Sequence, residues 1–206
     1  MSFQLSSVRR ETPVAEAIKA RRTIKQFKPD AVEEALLREL LEVAVWAPNH
    51  RLREPWRFAC YVGDGRESLV QAIRRHAKKR KNLDYYRSVP VHLLVVMQES
   101  EPGCKWDEDF SAVSSLIQNL QLAAWEQGLG AVWKTDPFTQ NPDFKAELGV
   151  QAGEKIVGLM LLGYPEQVPQ AQPRTALDEK LTVIRTFAGD VEAAEQDGEA
   201  SAAGGS

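Results

Sequence analysis

The spacing of hydrophobic positions changes period repeatedly along the chain, and these changes divide it into alternating helices and strands. Thr12-Pro13 pairs an N-cap residue with proline at the first helical position. Val14, Ala17 and Ile18 then recur at helical spacing, and Arg21 and Arg22 follow at the end where the helix dipole favours cations. Asp30 with Glu33 predicts a capping box for a second helix. Its apolar face is Leu36, Leu37, Leu40, Leu41, Ala44 and Val45, and Pro48 stops it. Trp56 to Val62 alternates like a half-buried strand, and Gly63-Asp64-Gly65 turns the chain. Leu69, Val70, Ile73 and Ala77 mark a third helix with a very basic end. The unbroken apolar run Val91 to Met97 predicts a buried strand. A long helix is expected over Asp107 to Gln127, with Phe110, Val113, Leu116, Ile117, Leu120 and Ala124 inward and Gly128 as C-cap. Ala131-Val132-Trp133 reads as a short strand. Asn141-Pro142 opens a helix that ends at Gly149, and Ile156 to Leu162 reads as a last core strand. Beyond Tyr164-Pro165 the sequence turns polar and Pro/Gln-rich, as an extended arm would.

Composition bounds this picture. The 206 residues suit one domain, placed at 12–188, with an N-terminal extension at 1–11 and an acidic, small-residue tail at 189–206 that is expected to be disordered. The net charge of -3 gives no reason to expect nucleic acid as a partner. No apolar run reaches the ~20 residues of a membrane span, so no membrane association is expected. The opening residues lack the apolar core of a signal peptide, and Cys60 and Cys104 form no disulfide framework, so a reducing cytoplasm is expected. Cys60 alternates with Trp56 and Phe58 and reads as a core thiol. The histidines at 50, 76 and 92 are scattered and predict no metal site; His92, inside an apolar strand, reads as a satisfied core residue.

Two stretches carry candidate chemistry. Arg21-Arg22-Thr23-Ile24-Lys25-Gln26-Phe27 sets three cations and a hydroxyl within five residues, which is either a solvated helix end or a site for an anion. Trp46-Ala47-Pro48-Asn49-His50, followed by Pro55-Trp56-Arg57-Phe58, is a Pro-bounded loop with aromatic walls, or a plain structural turn. Together they suit a ligand with an anionic tail and a flat head, such as a flavin mononucleotide. The run from Arg74 to Lys81 has three readings: a solvated helix face, a nucleic-acid surface, or a positive site near a phosphorylated dinucleotide. It lacks interleaved aromatics, which disfavours the second. No nucleophile elbow or phosphate-loop signature occurs. The Gly-x-Gly at 128–130 follows a helix rather than a strand, so it is no dinucleotide fingerprint.

The order of these motifs resembles the FMN-dependent nitroreductase family from about Pro13 to Thr182. The resemblance rests on Arg21-Arg22-Thr23 closing in Phe27, on Ala47-Pro48-Asn49 with Pro55-Trp56-Arg57-Phe58, on Gly128-Leu129-Gly130-Ala131-Val132-Trp133, on Gly163-Tyr164-Pro165, and on Pro173-Arg174-Thr175 in the arm. Trp46 to His50 and the Trp133-Lys134-Thr135 turn look most like the compact branch of that family. The chain departs from the pattern at Leu52, where Asn is common, and at Glu54, where Gln is usual. The resemblance implies an α+β fold with a mostly antiparallel central sheet flanked by helices. It implies a homodimer with FMN sites built by both subunits, and ping-pong transfer from NADH or NADPH to a nitroaromatic, quinone or similar small acceptor. No side chain needs to act as catalyst, because the flavin carries the chemistry. Cofactor contacts are expected from Arg21, Arg22, Thr23 and Arg174 at the phosphate and from Lys25 near the ring. Trp46, Pro48, Asn49 and His50 of the second subunit and Trp133, Lys134 and Thr135 at the ring edge complete the set. The alternative from another class is a flavin-binding protein without turnover, used for storage or sensing.

Overall fold

The structure is a computed structural model that describes residues 13–79 and 81–185. The expected Thr12 cap, the extension at 1–11, Arg80 and the tail at 189–206 lie outside the described residues. Residues up to Ala171 form one compact unit, and Gln172 onward belongs to a second.

A four-stranded sheet organises the first unit. β1 (Trp56–Tyr61), β2 (Val91–Gln98), β3 (Gly130–Lys134) and β4 (Glu154–Gly163) lie in the order β1-β2-β4-β3, with every neighbour antiparallel. β2 and β4 take the centre because they are apolar on both faces; β2 is buried from Val91 to Met97. Odd positions of β2 meet α2 (Glu34–Ala44) and α5 (Cys104–Glu126) in one core. Even positions meet α3 (Arg66–His76), α4 (Leu83–Ser88) and α6 (Pro142–Glu147) in the other. The period of two in the strand divides the side chains between these layers.

Local signals act as expected at several ends. Asn141 caps α6 by accepting from the Asp143 amide at 2.9 Å, and Gly128 leaves α5 with φ +75°. α4 escapes sequence reading because six residues give too short a periodic pattern.

Three expectations need correction. The Asp30–Glu33 capping box is not made: Glu33 is the N-cap of α2 and its side chain makes no capping hydrogen bond. Cys60 is exposed rather than a core thiol, because it lies near the end of edge strand β1. His92 is fully buried but not satisfied, since both ring nitrogens lack a well-formed hydrogen bond. It stacks on Tyr86 at 6.3 Å, and burial lowers its pKa to about 4.

α1 (Pro13–Ala20) is the predicted amphipathic helix, but none of its residues is buried. Val14 and Ile18 keep their apolar face open, at 66% and 52% exposure.

Candidate active site

The chain leaves α1 and runs extended along the open edge of β3. Thr23 bridges Ala131 in parallel, and the Ile24 amide donates to the Ala131 carbonyl at 3.0 Å. Extended backbone alternates its side chains, so Ile24 turns inward, fully buried, while Thr23 and Lys25 are exposed. Ile24 occupies the space in front of Gly130, where a Cβ would stand 2.3 Å from its Cγ1. This explains why the first motif needs the glycine of the third. Further on, the Lys28 amide donates to Tyr164 O at 2.9 Å and the Glu166 amide to Gln26 O at 3.0 Å. Phe27 packs in front of Gly163. Three motifs distant in sequence are therefore stitched side by side.

The cations of this strip have distinct surroundings. The Arg21 guanidinium reaches Gln121 Oε1 of α5 at 3.4 Å. Arg22 turns back and donates to the carbonyls of Lys19, Ala20 and Arg21 at 2.6–2.9 Å, closing the end of α1. Between Ala17 and Pro29 the sequence holds Lys19, Arg21, Arg22, Lys25 and Lys28 and no acidic residue. That donor set fits a phosphate, and the exposed Thr23 hydroxyl adds a neutral donor.

β3 ends in Trp133-Lys134, followed by Thr135. The Trp133 indole lies against Gly158, where any Cβ would meet it, and donates to Val157 O at 3.0 Å. Lys134 points to the other face, 5.6 Å from the Tyr85 and Tyr86 ring centres and 3.6 Å from Asp136. Lys81 also reaches Asp136, at 2.6 Å. Burial pushes the Asp136 carboxyl up, but the Lys81 hydrogen bond and the charges of both lysines outweigh it and hold the pKa below the ordinary value. Burial and the Asp136 charge push the Tyr86 hydroxyl the other way, so it stays protonated. This Asp136 cluster was not legible in the sequence: Lys81 and Lys134 are far apart along the chain, and no spacing rule joins them.

The Trp46–Glu54 loop seats Ala47 in the core and leaves most of its other side chains open. Trp46 is 86% exposed and Leu52 79%, and Pro48 and His50 are also exposed. Asn49 braces the loop, donating to Ala47 O at 3.2 Å and accepting from the Glu54 amide at 3.0 Å. Arg51, Leu52 and Glu54 have φ of 54°, 52° and 46°, left-handed values that side chains other than Gly and Asn adopt at a cost. An Asn, which tolerates left-handed backbone, would be at ease at the position of Leu52. One anchor holds this shape: Arg53 donates to Asp109 Oδ1 from Nε at 3.0 Å and from Nη2 at 2.5 Å. Asp109 is buried and also accepts from Ser100 at 2.5 Å. Burial opposes its charge, yet the Ser100 and Arg53 hydrogen bonds keep its pKa below the ordinary carboxylate value. His50 lies 3.7 Å from Glu108. Arg53 and Asp109 went unnoticed in the sequence because neither belongs to a motif.

Arg174 lies in the second unit, where its guanidinium donates to Gln172 O at 3.0 Å. No group of three His, Cys, Asp or Glu among the described residues could hold a metal ion, and no helix among them is long and apolar enough to cross a membrane.

The family model described as "Nitroreductase family" matches residues 18–164, which span the strip, the loop, the glycine pair and Gly163-Tyr164. The chain belongs to the nitroreductase family. A Bacillus subtilis (strain 168) protein, "Putative NAD(P)H nitroreductase YfhC", is 37% identical over 191 residues, covering 87% of this chain and 98% of that protein. A nitroreductase-like family protein from Bacillus cereus is 41% identical, with a TM-score of 0.81 over 85% of this chain and 97% of the other. A Desulfovibrio desulfuricans chain bearing a nitroreductase name, solved in complex with FMN, is 26% identical with a TM-score of 0.72, covering 86% and 99%. The nitroreductase fold, α+β with an antiparallel sheet between helices, agrees with the architecture above.

Proposed function

We propose that this nitroreductase-family chain is an FMN-dependent oxidoreductase that passes electrons from NADH or NADPH to nitroaromatics, quinones or similar electron-poor acceptors. The observation that carries this reading is the acid-free cationic strip that pairs with β3 at Ala131, two residues along that strand from Trp133. The B. subtilis and D. desulfuricans relatives, with an NAD(P)H nitroreductase name and a bound FMN, support it. When bound, FMN supplies hydride and electron transfer between a nicotinamide and the acceptor. The chain's own residues bind and orient. Arg21 and Thr23 hold the phosphate, for which a guanidinium fork is suited. Arg22 contributes charge while its donors close α1. Lys25 places a cation by the ring, and Trp133 and Thr135 meet its edge, with Lys134 contributing through its backbone. The arm residue Arg174 is assigned to the phosphate by the sequence resemblance.

A second copy completes the site as a homodimer, presenting Trp46, Pro48, Asn49 and His50. Support comes from the open Trp46 and Leu52 and from α1, whose apolar Val14 and Ile18 remain exposed. Donor and acceptor use one pocket in turn, which is a ping-pong scheme.

The test is the visible spectrum of the purified protein, followed by kinetics with varied NAD(P)H and a quinone. Flavin bands with parallel double-reciprocal lines are expected, and intersecting lines would remove the shared pocket. Bound FMN without NAD(P)H oxidation would favour a storage or sensing role instead. Arg21→Ala is expected to weaken FMN binding about tenfold or more, as loss of a charge-assisted contact does. Arg174→Ala, measured separately by dialysis, tests the arm.

A further inference from the structure

The basic run from Arg74 to Lys81 has no part in the flavin site described above, yet it borders two adjoining grooves. One, of about 700 Å³, lies between the end of α3 and the start of α6. The other, of about 710 Å³, lies between α3 and α4. Lys79 and Lys81 line both.

The charges there are unevenly balanced. Arg75 and His76 are committed to Glu147, which they hold at a pKa of about 2, the Arg75 hydrogen bond weighing most. Lys81 is committed to Asp136 at 2.6 Å. Among the described residues Lys78 and Lys79 have no ion-pair partner, and both are exposed. The first groove therefore has a positive rim, while Pro137, Phe138 and Pro142 give it apolar walls. A positive rim over apolar walls suits a flat ring carrying a phosphate, since ammonium groups bind phosphate as point charges. A phosphomonoester carries close to two negative charges at neutral pH.

The groove's wall follows the candidate flavin edge closely along the chain. Pro137 follows Thr135 by two residues, so the wall begins within about 8 Å of it along the backbone. The pair of Lys81 and Lys134 on Asp136 fixes that wall to the turn.

We propose that the groove beside Lys78 and Lys79 binds the 2′-phosphoadenosine end of NADPH, so that this chain selects NADPH over NADH. The proposal rests on the flavin reading for the position of the nicotinamide and goes beyond it in naming the donor. Lys78 and Lys79 contact the 2′-phosphate, the Pro137–Pro142 segment receives the purine, and Lys81 holds the wall in place.

The experiment titrates the full-length, FMN-loaded protein with 2′,5′-ADP and with 5′-AMP by calorimetry. It also measures kcat/KM for NADPH and NADH in the wild type, in Lys78→Gln/Lys79→Gln and in Lys78→Arg/Lys79→Arg. The expected result is 2′,5′-ADP binding at least about tenfold tighter than 5′-AMP. The NADPH-to-NADH ratio of kcat/KM should fall about tenfold or more in the Gln pair and recover in the Arg pair. Equal binding of the two nucleotides, or a ratio unmoved in the Gln pair, overturns the proposal. So does single-stranded DNA binding as tightly as 2′,5′-ADP, which would mark a general polyanion surface. Intact flavin bands and NADH turnover in those cases leave the flavin reading standing, whereas their loss strikes that reading instead.

Discussion

The strip at residues 21–28 is held by backbone hydrogen bonds and a buried isoleucine, whereas the loop at residues 46–54 seats only Ala47 in the core and turns Trp46 and Leu52 outward. On the strip, Ile24 and Phe27 are buried, and burying one such side chain contributes about 1.5–3 kcal/mol. Its exposed Thr23 and Lys25 are fixed as a consequence of that burial. In the loop, Trp46 and Leu52 face outward, three residues hold left-handed backbone, and Arg53 on Asp109 is the chief tie to α5. A single chain therefore fully supports one half of the candidate site and displays the other. That division supports the proposed second copy, to which the exposed Trp46 would be offered.

The comparison breaks most sharply at the loop's anchor. Arg53→Ala takes its hydrogen-bonded cation from buried Asp109, which keeps Ser100 and the charge of Lys105, and the largest loss of stability among these variants is expected in urea unfolding at pH 7. The sign with pH follows from the lowered Asp109 pKa. The contribution of the pair is present above the ordinary aspartate value and is lost as pH falls through the folded one. The gap between wild type and variant should therefore narrow below about pH 4. A gap that stays constant with pH would show that the pair does not hold the loop.

The strip breaks at its glycine. Gly130→Ala forces a methyl onto Ile24, and overpacking of this kind costs about 1–3 kcal/mol. FMN affinity should fall together with stability, because the displaced residue sits between Thr23 and Lys25; flavin fluorescence and unfolding on one sample read both. A smaller effect sharpens the roles within the strip. Arg22→Ala removes the donors at the end of α1 and should cost about 0.5–1 kcal/mol of stability, with less loss of FMN than Arg21→Ala. Last comes Trp46→Ala, which should change unfolding of the separated chain by less than about 0.5 kcal/mol, since its ring touches little of its own subunit. Its expected consequence is a weaker dimer, seen as a concentration-dependent fall in mass by light scattering.

The sequence was most readable where one physical rule acts alone. The apolar run of β2, the 3.6-residue period of α5 and the Asn-Pro start of α6 each specify an element without help from elsewhere. Competing rules hid the rest. Cys60 has the alternation of a core position, but β1 proved to be an edge, and strand pairing is not written in the strand itself. Asp30 and Glu33 have the spacing of a capping box, but Glu33 became the cap residue, so the reciprocal pair could not close. The apolar run around His92 specifies its burial, yet its missing hydrogen-bond partners depend on what α3 and α4 place around it.

By itself, then, the sequence determined the order of the strands and of the α-helices other than α4, the family and the cluster of cations after α1. These follow from periodicity, turn chemistry and motif order, all of which act over short stretches of chain. Tertiary structure alone decided that Ile24 would seat on Gly130, that Arg53 would find Asp109, and that Lys81 and Lys134 would share Asp136. These are meetings between residues far apart in the chain. Their energies come from close packing and from charges removed from water, and both depend on which surfaces the folded sheet brings together.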